Sequence, residues 1–258
     1  MRFKFYKYQG TGNDFIIVDN RDQKISLSEK DIHKLCDRRF GIGADGLMLL
    51  QEHQELDFSM NYFNSDGKES TMCGNGGRCL VQFAKSKGIV DQKAVFSAID
   101  GKHEAIINKH TVSLQMQDIK EVNRVNNNYY LNSGSPHYVA FKEKIDQIDI
   151  YNRGQEIRYS AEFEPKGTNV NFVEFQDDKL YVRTYERGVE DETLSCGTGV
   201  TAAAICASVY TKSDKNSYPI ITRGGELKVS FKKLRHNTFT DIWLTGPATF
   251  VFEGEIEI

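Results

Sequence analysis

Apolar and polar positions alternate in short runs along most of the chain, the signature of strands that bury one face. Such runs, or clusters of β-branched and aromatic residues, occupy residues 3–8, 15–19, 57–62, 111–116, 180–185, 226–231 and 249–258. The alternation is cleanest in Asp57-Phe-Ser-Met-Asn-Tyr62, where Phe58, Met60 and Tyr62 share a face. Helical spacing is rarer. Ser28-Glu-Lys-Asp31 has the form of a capping box and opens a helix predicted to reach about Arg39, with Ile32, Leu35 and Cys36 inward. A second helix is predicted over residues 74–87, with Leu80, Phe83 and Ala84 inward and Gly88 as its stop. The third, over residues 197–210, contains Val200-Thr-Ala-Ala-Ala-Ile-Cys-Ala-Ser-Val209, which is apolar nearly all round. A helix without a polar face is one surrounded by protein. Many short strands and an enclosed helix predict an α/β (α+β) fold in which a curled, mostly antiparallel sheet wraps a central helix.

The pattern occurs twice. A shift of 123 residues, the separation of Cys73 and Cys196, lays Tyr62-Phe-Asn-Ser-Asp-Gly-Lys-Glu-Ser-Thr-Met-Cys73-Gly-Asn-Gly over Tyr185-Glu-Arg-Gly-Val-Glu-Asp-Glu-Thr-Leu-Ser-Cys196-Gly-Thr-Gly. The same shift lays Gly12-Asn-Asp-Phe-Ile over Ser135-Pro-His-Tyr-Val. Several matches at one shift predict two related, pseudo-symmetric halves. The first half is expected to span residues 1–116, completed by the final strand 247–258, and the second residues 117–246, with the active site between them.

Composition narrows the function. The 258 residues include 33 basic and 36 acidic side chains, a formal charge of −3, with no long block of either sign. Nothing recommends a nucleic-acid partner or a polybasic membrane contact. The N-terminus has no apolar secretion core, and no apolar run approaches the length of a membrane span. Five cysteines, at 36, 73, 79, 196 and 206, are an odd number and read as reduced thiols of a cytoplasmic protein. There is no Cys-x-x-Cys pair, and the six histidines are scattered, so no metal is expected.

Cys73 and Cys196 each stand at the mouth of a predicted helix, where unpaired amides and the helix dipole favour negative charge. The glycines that follow let backbone N–H groups approach an anion such as a carboxylate. Two such helix starts facing one substrate would supply a thiolate to remove a proton and a thiol to return one to the opposite face. A reversible Cys73–Cys196 disulfide in a non-catalytic redox switch is the alternative from another class. Cys36, Cys79 and Cys206 fall on apolar helical positions and read as small buried hydrophobes. Gly41-Ile-Gly43-Ala-Asp-Gly46 and Gly197-Thr-Gly199 lack the strand–turn–helix context of a dinucleotide fingerprint.

Gly10-Thr-Gly-Asn-Asp-Phe, Phe63-Asn-Ser-Asp-Gly, Met72-Cys-Gly-Asn-Gly-Gly-Arg-Cys, Gly167-Thr-Asn-Val-Asn-Phe, Tyr185-Glu-Arg-Gly and Cys196-Gly-Thr-Gly follow one another along the chain. In this order they resemble the motifs of the diaminopimelate epimerase family over essentially the whole length. The resemblance implies two similar α/β halves, no pyridoxal phosphate or metal, and diaminopimelate as the small-molecule substrate. It implies Cys73 and Cys196 as the acid–base pair. Gly74, Asn75, Gly197 and Thr198 would receive the reacting carboxylate. Asn13, Asn64, Asn169 and Arg187, with Glu186 beside them, would hold the distal carboxylate and amino group. Residue chemistry alone favours reading Asn13 and Asn64 as turn residues, and Glu186–Arg187 as a surface pair. His137 reads either as a group that tunes a cysteine or as packing. Gly46, Ser135 and the longer loop after Arg187 depart from the family pattern. A homodimer is compatible with the sequence, although no residue fixes the oligomeric state. Proline or hydroxyproline racemases, with similar Cys-Gly turns, are the rival within enzymes.

Overall fold

The computed structural model describes residues 1–109, 111–234 and 237–258. The chain divides into two units: Met1–Leu114 with Gly246–Ile258, and Gln115–Thr245. The first contains β1 (Arg2–Gly10), β2 (Asn13–Asp19), α1 (Glu29–Cys36), β3 (Gly46–Gln51), β4 (Phe58–Asn64), β5 (Glu69–Ser70), α2 (Gly74–Ser86), β6 (Lys93–Ala98), β7 (Gly101–Ile107) and β8 (Thr111–Met116). The second contains β9 (Asn123–Val125), β10 (Asn128–Asn132), β11 (Pro136–Phe141), α3 (Ile150–Arg158), β12 (Asn169–Gln176), β13 (Lys179–Glu186), β14 (Asp191–Thr193), α4 (Gly197–Tyr210), β15 (Ser217–Thr222), β16 (Gly225–Lys233) and β17 (Phe239–Pro247). The last strand, β18 (Thr249–Glu257), returns to the first unit and pairs antiparallel with β1.

In the first unit the hydrogen-bonded order is β18-β1-β2-β3-β4-β6-β7-β8, with β5 beside β4. Only β2/β3 and β4/β6 are parallel. The second unit repeats the scheme as β9-β10-β11-β12-β13-β15-β16-β17, with β14 beside β13 and parallel pairs at β11/β12 and β13/β15. Parallel neighbours require a crossover. Here each crossover carries a helix, α1 and α2 in one unit and α3 and α4 in the other. The internal repeat of the sequence is thus a repeat of topology.

Each sheet is open and curls around its second helix. α2 packs on β1, β2, β3, β7 and β18, with Phe83 against the rings of Tyr6 and Tyr8 at 4.8 and 6.0 Å. α4 touches β10, β11, β12, β13, β15 and β16, and from Gly197 to Ser208 every residue but Thr198 is buried. This enclosure explains its all-round apolar sequence. Where the sequence predicts α1 to reach Arg39, it stops at Cys36. Asp37 is extended, and its carboxylate accepts the N–H groups of Arg39 and Phe40 at 2.7 Å, forming a turn instead. α3 has only a thin inward face to announce it, Ile150 and Gly154 buried with Ile157 partly so; it opens on an Asp149 cap.

Candidate active site

In the first unit Cys73 is the N-cap residue of α2, extended at φ −86° and ψ 129°, and its side chain does not cap the helix. Cys73 Sγ lies 3.6 Å from Asn13 Oδ1 and donates to it; Asn75 Nδ2 donates to the same oxygen at 3.4 Å. Asn13 Nδ2 in turn donates to Asp45 Oδ2 at 2.6 Å. Behind these groups lies Arg78, fully buried on α2. It donates to Asn75 Oδ1 at 3.0 Å, Gly74 O at 3.3 Å, Pro247 O at 3.3 Å and Thr11 Oγ1 at 3.5 Å. Among the described residues no carboxylate forms an ion pair with it, and burial lowers its pKa. Asp45 also pairs with Arg38 at 2.8 Å, and Arg38 and Lys7 both hold Asp14 at 2.7 Å. Burial alone raises the Asp14 pKa, but those two cations outweigh it and hold the carboxyl at about 2.

In the second unit Cys196 is the N-cap residue of α4, also extended and also not capping with its side chain. Its Sγ lies 3.5 Å from Thr198 Oγ1, which is 2.9 Å from Nε2 of the buried His137. His137 Nδ1 is 3.0 Å from Asn171 Nδ2, which also donates to Tyr138 O at 3.0 Å, while Thr184 Oγ1 donates to Asn171 Oδ1 at 2.9 Å. Burial first, then the charge of Arg187, push His137 down to about 3, so the ring is neutral. Gly199 leaves room for this network: a Cβ there would stand 2.5 Å from Asn171 Oδ1.

The expected distal residues divide. Asn169, Arg187 and Ser135 form one group. Asn169 Oδ1 accepts the Arg187 N–H at 2.9 Å, and Asn169 Nδ2 and Arg187 Nη2 reach Ser135 Oγ at 2.9 and 3.4 Å. Glu186, at the end of β13, accepts from Thr193 Oγ1 at 2.9 Å. Asn64, at the end of β4 opposite Gly46, is exposed and has no bond to the Cys73 group. Gly46 itself has no room for a side chain, since a Cβ would stand 2.6 Å from Phe63 O. Sequence reasoning flagged Ser135 only as a departure from the family pattern, and it missed Asp45, Arg78, Asn171 and Thr184. Asn171 alone left a signal, a polar residue within the apolar run Val170-Asn-Phe-Val173. Cys36, Cys79 and Cys206 are buried; burial pushes the first two thiols up to about 12 and the third well above the usual range. Among the described residues no cluster of three His, Cys, Asp or Glu side chains is placed to hold a metal ion, and no helix is long and apolar enough to cross a membrane.

A model of the diaminopimelate epimerase family matches residues 5–120 and 129–251. The diaminopimelate epimerase of Flavobacterium psychrophilum is 54% identical over 256 residues, covering 98% of this chain and 100% of the relative. The chain belongs to the diaminopimelate epimerase family. It is accordingly an isomerase, and the diaminopimelate epimerase of Aquifex aeolicus is 40% identical over 98% of this chain and 97% of its own length. Solved structures extend the likeness of fold beyond that family. A PhzF-family phenazine biosynthesis protein of Bacillus anthracis matches with a TM-score of 0.78 at 14% identity, over all of both chains. A hydroxyproline epimerase of Agrobacterium vitis with bound trans-4-hydroxy-L-proline matches at 0.69 and 13%, over 99% of this chain and 92% of its own. The epimerase family shares its architecture with these proteins; at such identities the likeness is one of fold alone.

Proposed function

We propose that the protein interconverts LL- and meso-diaminopimelate in the cytoplasm, on the route to lysine and peptidoglycan precursors, using its own cysteines and no cofactor. The observation that carries this is a full-length match to the epimerase family whose two Cys-Gly turns both cap the buried helix of their unit. In this reading the two helix starts act on one substrate from opposite sides. The thiolate of one cysteine takes the α-proton, and the C–H electron pair passes into the α-carboxylate as an enediolate. The first-turn N–H groups at Gly74, Asn75, Gly197 and Thr198 offset the developing charge. The thiol of the other cysteine then gives its proton to the opposite face, and the carbon is inverted. The two cysteines end with their protonation exchanged, so the next turnover in the same direction follows a proton exchange with water.

At the far end of the substrate, Asn13, Asn64, Asn169, Glu186 and Arg187 would hold the second carboxylate and ammonium. Arg187 supports this: its guanidinium donates to Lys166 O at 3.3 Å and to Ser135 Oγ, and among the described residues it pairs with no carboxylate. His137 would support Cys196 through Thr198. The partner besides substrate would be a second copy of the chain, since β18 displays Phe250, Val251 and Phe252 about half exposed.

Substrate choice tests this reading against a racemase of one-carboxylate substrates. Wild-type protein should epimerise diaminopimelate and leave lysine and proline essentially untouched, because either would strand Arg187 unpaired. Arg187→Met should cut kcat/KM for diaminopimelate by roughly a hundredfold or more while narrowing its advantage over lysine. Racemisation of proline or lysine at rates comparable to diaminopimelate would sink the assignment.

A further inference from the structure

The groups around Cys73 form a hydrogen-bond chain whose direction is set at both ends. Arg78, which has only donors, faces Asn75 Oδ1, so Asn75 must turn its Nδ2 toward Asn13. Asp45, which has only acceptors when ionised, faces Asn13 Nδ2, so Asn13 must turn its Oδ1 toward Asn75 and Cys73. Neither amide can reverse without setting two donors or two acceptors against each other. Cys73 thus meets a carbonyl oxygen, which receives the proton of a thiol and repels a thiolate.

We propose that Asp45 is a positioning residue for Cys73: its carboxylate locks the Asn13 amide so that an acceptor, and not a donor, faces the sulfur, with Arg78 locking Asn75 to the same effect. The arrangement opposes ionisation of Cys73 from the Asn13 side. A substrate that engages Asn13 or Asn75 competes for those amides and releases the restraint where the α-proton is to be taken. The inference rests on the reading of Cys73 as an acid–base residue, yet its direct consequence is a property of the thiol itself. The charged and titratable groups that pack near it within its own unit include Asp45, Asp14, Arg38 and Lys7 behind Asn13; Arg78 and Cys79 on α2; and Asp100, which accepts from Met72 N at 3.3 Å and pairs with His103 at 3.1 Å.

Removing a carboxylate also changes the local field, so the test must separate orientation from charge. Asp45→Ala frees Asn13 to turn its Nδ2 toward a thiolate. The pH midpoint for alkylation of Cys73 by iodoacetamide, read on its peptide by mass spectrometry in the full-length protein, should fall by about one unit, with alkylation roughly tenfold faster below the midpoint. In an Asn13→Ala chain, adding Asp45→Ala should leave the Cys73 profile where Asn13→Ala alone puts it, because the group through which Asp45 acts is gone. Asp45→Asn keeps the volume should the alanine variant fold poorly, and its shift should have the same sign. An unchanged midpoint in folded Asp45→Ala and Asp45→Asn, or an equal shift with and without Asn13, would overturn the proposal. Full activity in Cys73→Ala would instead overturn the reading of the reaction and leave the alkylation result standing.

Discussion

His137 shows how far a single side chain's surroundings fix its state. Its Nδ1 meets Asn171 Nδ2, and that nitrogen is identified as the donor because it also bonds the Tyr138 carbonyl. Nδ1 is therefore the acceptor and the ring proton sits on Nε2, aimed at Thr198 Oγ1, which is left to donate toward Cys196. A neutral buried imidazole must take up a proton on unfolding in acid. With the folded value lowered to about 3 and the unfolded value near 6.5, the unfolded chain binds more protons between those limits. The stability is present above about pH 6.5 and is lost as pH falls, at up to about 1.4 kcal/mol per unit. Urea unfolding of His137→Gln between about pH 4 and pH 6 should show a flatter acid limb than wild type. Equal slopes would mean that the ring is protonated in the fold. Little of this was legible beforehand. Pro136-His137 stands out in the sequence, but a sequence does not say which hydroxyl or amide meets a ring nitrogen. The sequence likewise gives Arg78 and Asp45 no role, because their part depends on burial and on the direction of their hydrogen bonds.

Among the elements, α4 was one of the most legible. Its existence, its extent and its enclosure were all written in an apolar run with no polar face. α2 was equally legible, from Gly88 as its stop and Cys73-Gly as its start. α3 was not, since its inward face is only Ile150, Gly154 and Ile157, too thin a stripe to announce a helix. Local signals also mislead about glycine. Gly199 lies in the first turn of α4, where replacement by alanine ordinarily stabilises a helix by up to about 1 kcal/mol. Here a methyl would enter the space of Asn171 Oδ1 at 2.5 Å and Thr184 Oγ1 at 3.3 Å. Gly199→Ala should therefore destabilise the protein by about 1–3 kcal/mol, measured by equilibrium denaturation, and slow epimerisation by disturbing Thr198. A stability gain would show that the strand beneath yields at little cost.

Across the whole chain, the repeat at a shift of 123 residues was the most informative feature, because it predicted a doubled topology that individual strands did not. The structure bears this out pair by pair: each unit has the same strand order, the same two parallel pairs and a cysteine at the start of its enclosed helix. The strands between were less legible, since short ones such as β5 and β14 owe their pairing to neighbours rather than to any pattern of their own. The apolar run of β18 belongs to this scale as well. Sedimentation should find a homodimer, and Val251→Lys should shift it toward monomer; a wild-type monomer at micromolar concentration would contradict that assembly. The central claim is that two cysteines share one proton transfer. Purified protein incubated with LL-diaminopimelate in heavy water should yield meso-diaminopimelate carrying deuterium at the inverted carbon, and Cys73→Ala and Cys196→Ala should each abolish inversion. Inversion at near-normal rate in either variant, or meso product without solvent deuterium, would contradict the account.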